Sequence, residues 1–146
     1  MKKFHYSLQK ILDLREFELK QAEMELGKVN AQIAHFQNQL KTIAEQKFSA
    51  QKEMDSSHDI SFFGQGHNYM VFLEQKKDLC LQNIAALQIE AEKRKDVVRK
   101  AMQKEKVLEH LKEAKFKNWK AECLKAEELV TDDVVTAKYN NRTSSV

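Results

Sequence analysis

The chain has 146 residues, 32% of them charged and 42% hydrophobic, with three glycines, two cysteines and no proline. A globular domain of this size carries roughly 5% Pro and 7% Gly in its turns, so sheets, barrels and βαβ folds have nothing to turn with and one domain of long helices remains. The net charge of +3, from 25 basic and 22 acidic residues, does not mark a nucleic-acid binder.

The opening segment, Met1-Lys2-Lys3-Phe4-His5-Tyr6-Ser7-Leu8-Gln9-Lys10, is basic but lacks an apolar stretch, and it predicts no secretory signal. No apolar run approaches the ~20 residues that span a bilayer. Cys80 and Cys123 on one helix would lie roughly 65 Å apart, beyond disulfide reach. These features predict a soluble, reduced, cytoplasmic protein.

Steps of four and three residues from Leu8 meet Leu12, Arg15, Leu19, Ala22, Leu26, Val29, Ile33, Phe36, Leu40, Ile43, Lys47, Ala50 and Met54. Twelve of these fourteen positions are apolar and the register never slips. A period of 3.5 held this long is the signature of a coiled coil, because only supercoiled helices keep such a stripe facing one partner. The residues between are mostly Gln, Glu, Lys and Asn, and Gly27 lies off the seam at a cost of about 1 kcal/mol. A helix is predicted over about 7–55.

Residues 56–68 hold Gly64, Gly66 and several serines, and they predict the chain reversal. Asn68 is the expected N-cap of the next helix. Gly64-x-Gly66 lacks the preceding strand and the Lys-Ser/Thr of a phosphate loop, so a turn is the better account.

The seam resumes at Leu73, Lys77, Cys80, Ile84, Leu87, Ala91, Arg94, Val98, Ala101, Glu105 and Leu108. Leu111, Phe116, Trp119, Cys123, Ala126 and Val130 then indicate a register shift near residue 112. The second helix is predicted over about 69–139, with residues 140–146 as a polar tail. The expected fold is all-α: one long antiparallel two-helix coiled-coil hairpin over residues 1–139. With the reversal near residue 62, Leu12 falls near Lys112, Leu40 near Ile84, and Phe4 and Tyr6 near Phe116 and Trp119. Residues past about 120 should overhang the N-terminus.

No catalytic, cofactor or metal constellation emerges. His5, His35, His58, His67 and His110 never stand three or four residues from one another or from a cysteine, the spacing that a helical metal pair needs. The carboxylates are spread over helix faces and suit i, i+4 pairing better than acid–base work. Charge is unevenly placed, with eleven basic and four acidic residues over 93–120, then Glu122, Glu127, Glu128, Asp132 and Asp133 against Lys125. Such asymmetry suits an electrostatically steered protein contact as well as a solvated face. Nucleic acid is disfavoured, because the basic stretch has few interleaved aromatics and an acidic neighbour. Aromatics gather at the two ends, Phe4, Tyr6, Phe116 and Trp119 at one and Phe48, Phe62, Phe63, Tyr69 and Phe72 at the other. They either cap the seam or serve as anchors for partners.

The opening Phe4-x-Tyr6-x-Leu8-Gln9-x-Ile11-Leu12-x-Leu14-Arg15-Glu16 resembles the N-terminal pattern of the FliJ family of flagellar type III export proteins. Glu105-Lys106-Val107-Leu108-Glu109-His110-Leu111-Lys112 and Glu127-Glu128-Leu129-Val130-Thr131-Asp132-Asp133 are similar to that family's C-terminal half, with Asp132-Asp133 in place of its usual Asp-Glu. The resemblance implies a non-enzymatic, stalk-like component of flagellum biogenesis and motility. It would bind and stimulate the export ATPase hexamer, contact the export gate membrane protein and escort export chaperones. It would take no cofactor and no small-molecule substrate, and would reach the inner face of the membrane only through protein partners. Two alternatives explain the same seam: a self-associating scaffold coiled coil, and the stalk of a related secretion system or rotary ATPase. On the export reading, Phe4, Tyr6, Leu8, Arg15, Trp119, Glu127 and Asp133 are the expected ATPase contacts. Phe62, Phe63, Tyr69 and Phe72 are left for a second partner.

Overall fold

The computed structural model describes residues 2–144. Two helices account for nearly all of them, α1 over Gln9–Ser56 and α2 over Ile60–Ser144, and there is no strand among the described residues. The fold is the predicted all-α helical hairpin. All fourteen seam positions from Leu8 to Met54, thirteen of them on α1, and all eleven from Leu73 to Leu108 on α2, are buried or half-buried. A 3.5-residue period can do this only if the stripe of each helix stays turned to the other.

The reversal is shorter than the sequence predicts. Ser57, His58 and Asp59 alone connect the helices. Asp59 is the N-cap in place of Asn68: its Oδ1 accepts the Ser61 N–H at 3.0 Å and its carbonyl accepts the Phe63 N–H at 3.1 Å. Ser57 Oγ accepts the Asp59 N–H at 3.3 Å and fixes the approach to the cap. Gly64 and Gly66 therefore lie inside α2, where neither adopts a positive φ. Gly66 has a packing role instead, since a Cβ there would stand 2.7 Å from Met54 Cγ and Sδ. The glycine admits the methionine, not a turn.

At the other end α2 runs to Ser144, five residues past the expected Tyr139. Thr143 Oγ1 donates to the Asn140 carbonyl at 2.9 Å and Ser144 Oγ to that of Asn141 at 3.2 Å, so the polar side chains cap the last carbonyls. Arg142 in the final turn suits the negative end of the helix dipole. Of the expected 140–146 tail, Ser145 and Val146 lie outside the described residues, as does Met1 at the start of the expected hairpin.

The chain forms two compact units, Met1–Phe17 with Met102–Val146, and Glu18–Ala101. In the second unit Ile43, Leu73 and Cys80 form the core cluster, with Phe36 and Leu40 packed on it. Leu73 is the most enclosed side chain, at 1% exposure. The Cys80 thiol donates to Gln39 Oε1 at 3.4 Å, and Lys47 makes an ion pair with Glu74 of the facing helix. That lysine holds the Glu74 carboxyl below its ordinary value, first by hydrogen bonding. These pairs, 39 with 80 and 47 with 74, centre the reversal near residue 60, about two residues before the expected 62.

In the first unit Leu12 and Tyr6 are the buried residues of the N-terminal side. Leu111 departs from expectation: it is 38% exposed, and the neighbouring Lys112 takes the half-buried seam position. From there Trp119 and Cys123 carry the covered positions on, and every residue over 124–144 is exposed.

Candidate functional site

The first unit concentrates the unusual chemistry. The N-terminal residues before α1 turn at Tyr6, whose carbonyl accepts the Gln9 N–H at 3.1 Å, and they lie on α2. Phe4 meets Phe116 edge-on at 5.2 Å between centroids and Trp119 at 5.6 Å, and Phe116 stacks on Trp119 at 5.7 Å. Three rings at such separations gain attraction beyond their burial. Tyr6 is anchored beneath them, at 4% exposure, with its hydroxyl donating to the Leu108 carbonyl at 3.0 Å. The expected approach of Phe4 to Phe116 and Trp119 is present in this unit.

Past this cluster α2 continues without cover. A groove of about 640 Å³ follows the seam, lined by Lys2, Trp119, Glu122, Cys123, Ala126, Glu127, Val130 and Thr131. Trp119, Cys123, Ala126 and Val130 continue the apolar stripe in the register shifted near residue 112. Leu124, Leu129, Val134, Val135 and Tyr139 are also exposed, each by 48% or more. A helix in a protein owes most of its stability to the packing of an amphipathic face. This one carries a stripe of apolar side chains and acidic neighbours.

Of the residues singled out from the sequence, Phe4, Trp119 and Glu127 converge here. Tyr6 is buried, so it offers no surface of its own. Leu8 and Arg15 are half-buried on the seam, and Asp133 is exposed outside the groove lining. Lys2, Glu122 and Thr131 were not anticipated; only their position beside the heptad stripe could have indicated them. Glu16, Glu105 and Glu109 bring three carboxylates within 4.8 Å of one another, a juxtaposition of two helices that spacing along either one does not reveal. Exposed acidic groups cluster commonly without an ion, and nothing further at this trio points to one.

The residues near the reversal belong to the second unit. Phe62 is half-buried and lines a cavity of about 440 Å³ with Met54, Gly66 and Tyr69. Phe63, Tyr69 and Phe72 are exposed by 41–51%. Tyr69 stacks on Phe72 at 6.5 Å, and Lys76 Nζ stands 5.4 Å above the Phe72 ring, a cation–π contact. The second unit thus sets Phe62 against Met54 and leaves Tyr69 and Phe72 as an outward aromatic pair. No described helix is long and apolar enough to cross a membrane.

A comparison with protein families matches residues 4–144 to the flagellar FliJ protein family. The chain belongs to the FliJ family. No curated protein and no solved structure matches it. Membership makes this FliJ-family chain a component of flagellar protein export, a role in which the family is not enzymatic.

Proposed function

We propose that this chain is a cytoplasmic coiled-coil adaptor of the flagellar export apparatus, whose first unit docks on the export ATPase ring and stimulates it. The observation that carries the reading is the bare stretch of α2 over 124–144, where every residue is exposed although the seam chemistry continues. Such a helix end is shaped to enter a partner. Phe4 and Trp119 give it a rigid aromatic base, and Glu127 and Asp133 give it negative charge. Aromatic anchors of this kind dominate protein contacts. The effect on hydrolysis is allosteric, because the contacts favour one state of the ring over another without touching the reacting phosphate. Tyr69 and Phe72, with Phe62 and Phe63 behind them, are left for a second partner, the export gate or an export chaperone. The chain then reaches the membrane only through its protein partners.

The test is co-purification with the flagellar export ATPase and measurement of its hydrolysis rate with and without this chain. Removal of residues 120–146 should abolish binding and stimulation, and Phe62→Ala with Phe63→Ala should leave both. The opposite pattern reverses the assignment, and no binding by the intact chain overturns it.

A further inference from the structure

The groove of the first unit has the pattern of a seam that lacks one of its two helices. Trp119, Cys123, Ala126 and Val130 stand four, three and four residues apart, the same alternation that the covered positions from Leu73 to Leu108 follow. Cover falls away along them: Trp119 and Cys123 are half-buried, Ala126 and Val130 exposed. The facing helix α1 begins only at Gln9, and of the described residues before it Lys2 is the one in the groove lining. At about 100° per residue, Glu122 falls on one side of the stripe and Glu127 on the other, and both line the groove. Neither carboxylate has an ion pair among the described residues. The acidic bias continues around them, with Glu128, Asp132 and Asp133 against Lys125. The floor is shallow, because small Cys123 and Ala126 lie between Trp119 and Val130, and the groove measures about 640 Å³.

We propose that this groove receives a short amphipathic helix of a partner protein, with large aliphatic side chains at alternating three- and four-residue spacing and Lys or Arg on both flanks. A helix laid in an apolar groove is held by anchors at this spacing. The bound helix extends along α2 the contact that α1 makes further back, and its large side chains fill the space above Cys123 and Ala126. From Trp119 to Val130 is about 16 Å, or three turns. The next stripe position is Asp133, so the apolar contact ends there on a charge that suits a basic side chain. In paired helices the positions beside the seam select the partner by charge. Glu122 and Glu127 hold those positions here, and they select against an acidic helix. They also select against a second copy of the same stretch, which would bring carboxylate against carboxylate. The inference rests on the reading that the first unit is the docking unit, and adds the chemistry of what docks.

The probe is a synthetic helical peptide of about five turns, with Leu on the stripe, Lys on both flanks, and Ala and Gln elsewhere. A second peptide has Glu in place of Lys, and a third has the residues of the first in scrambled order. Each is titrated into the intact chain and followed by the fluorescence of Trp119, the single tryptophan of the chain and part of the groove lining. The Lys peptide should saturate at one per chain, and the other two should bind more weakly by about tenfold or more. Glu122→Lys with Glu127→Lys should reverse the preference in favour of the Glu peptide. Ala126→Gln with Val130→Gln, uncharged changes at exposed positions, should weaken the Lys peptide by about tenfold with helix content unchanged. Equal binding of the Lys and scrambled peptides, or of the Lys and Glu peptides, overturns the proposal. So does a dimer of the chain that the Gln double variant abolishes. Co-purification with the export ATPase is read separately. A chain that binds the ATPase but not the Lys peptide loses this inference alone, and one that binds the peptide but not the ATPase loses the export reading alone.

Discussion

Tyr6 donates its hydroxyl hydrogen bond to the main-chain carbonyl of Leu108, 102 residues away in sequence, at 3.0 Å. With Tyr6 at 4% exposure, this bond fastens the segment before α1 to the seam face of α2. A carbonyl has a second lone pair, so Leu108 can accept it without leaving its own helix. Tyr6→Phe keeps the ring and loses the bond, and should lower stability by about 1 kcal/mol. Tyr6→Ala leaves a cavity as well and should cost about 3–5 kcal/mol. Urea denaturation of both variants checks the pair, and equal losses would mean the hydroxyl contributes nothing.

The core of the second unit makes a sharper contrast. Leu73 is 1% exposed and Val71, two residues away, is 43% exposed. Leu73→Ala should therefore lower stability by about 2–5 kcal/mol. Val71→Ala should change it by less than about 0.5 kcal/mol. Matching melting temperatures for the two variants would contradict the packing described for α2.

The glycines of α2 separate propensity from packing. A Cβ at Gly64 meets nothing within 4 Å, so Gly64→Ala should stabilise the helix by about 0.5–1 kcal/mol. At Gly66 the same Cβ stands 2.7 Å from Met54 Cγ and Sδ, and the methionine must move. Gly66→Ala should fall about 1 kcal/mol short of Gly64→Ala. Met54→Ala beside it should remove the deficit, as measured by thermal unfolding of the double variant.

Glu74 and Lys47 give a pH signature. Lys47 depresses the Glu74 carboxyl below 4.5, its ordinary value. A carboxylate whose folded value is depressed adds stability above its unfolded value and loses it as pH falls through the folded one. Lys47→Met should lower the melting temperature slightly at neutral pH. The difference from the unaltered chain should close as pH drops below 4.5 and vanish once Glu74 is protonated in both states. A gap that persists unchanged in acid would place the effect in the lysine stem, not the ion pair.

The seam was legible in the sequence because burial in a two-helix coil is a one-dimensional property. Leu8 to Met54 and Leu73 to Leu108 declare their covered face by spacing alone. The reversal was misread because glycine signals both turns and close approach. Ser57 and Asp59, which cap and turn the chain, are common helix-surface residues as well. Lys112 replaced Leu111 on the seam for a similar reason: near the register shift, polarity misleads and geometry decides. The aromatic cluster was anticipated at the level of which ends meet. The groove beside it combines Lys2 with α2 residues up to Thr131, a pairing that no spacing within one helix contains.

The bare end of α2 separates stability from function. Over 124–144 every residue is exposed, with Leu129, Val130 and Tyr139 at 62–68%. Exposed positions contribute little packing, so deleting residues 124–146 should leave the unfolding free energy within about 0.5 kcal/mol of that of the full chain. Total helicity should fall by no more than the removed segment contributes, and by less if it frays, as a solitary helix does in water. On the export reading, the same deletion removes the groove past Cys123 and with it Glu127, Val130 and Asp133. Binding to the ATPase should then drop by at least tenfold while the aromatic cluster of Phe4, Phe116 and Trp119 remains folded. Near-ultraviolet circular dichroism reports the Trp119 environment and gives the control. An unchanged tryptophan signal with binding lost assigns the segment to the partner. A signal lost together with binding would make residues 124–144 part of the fold instead.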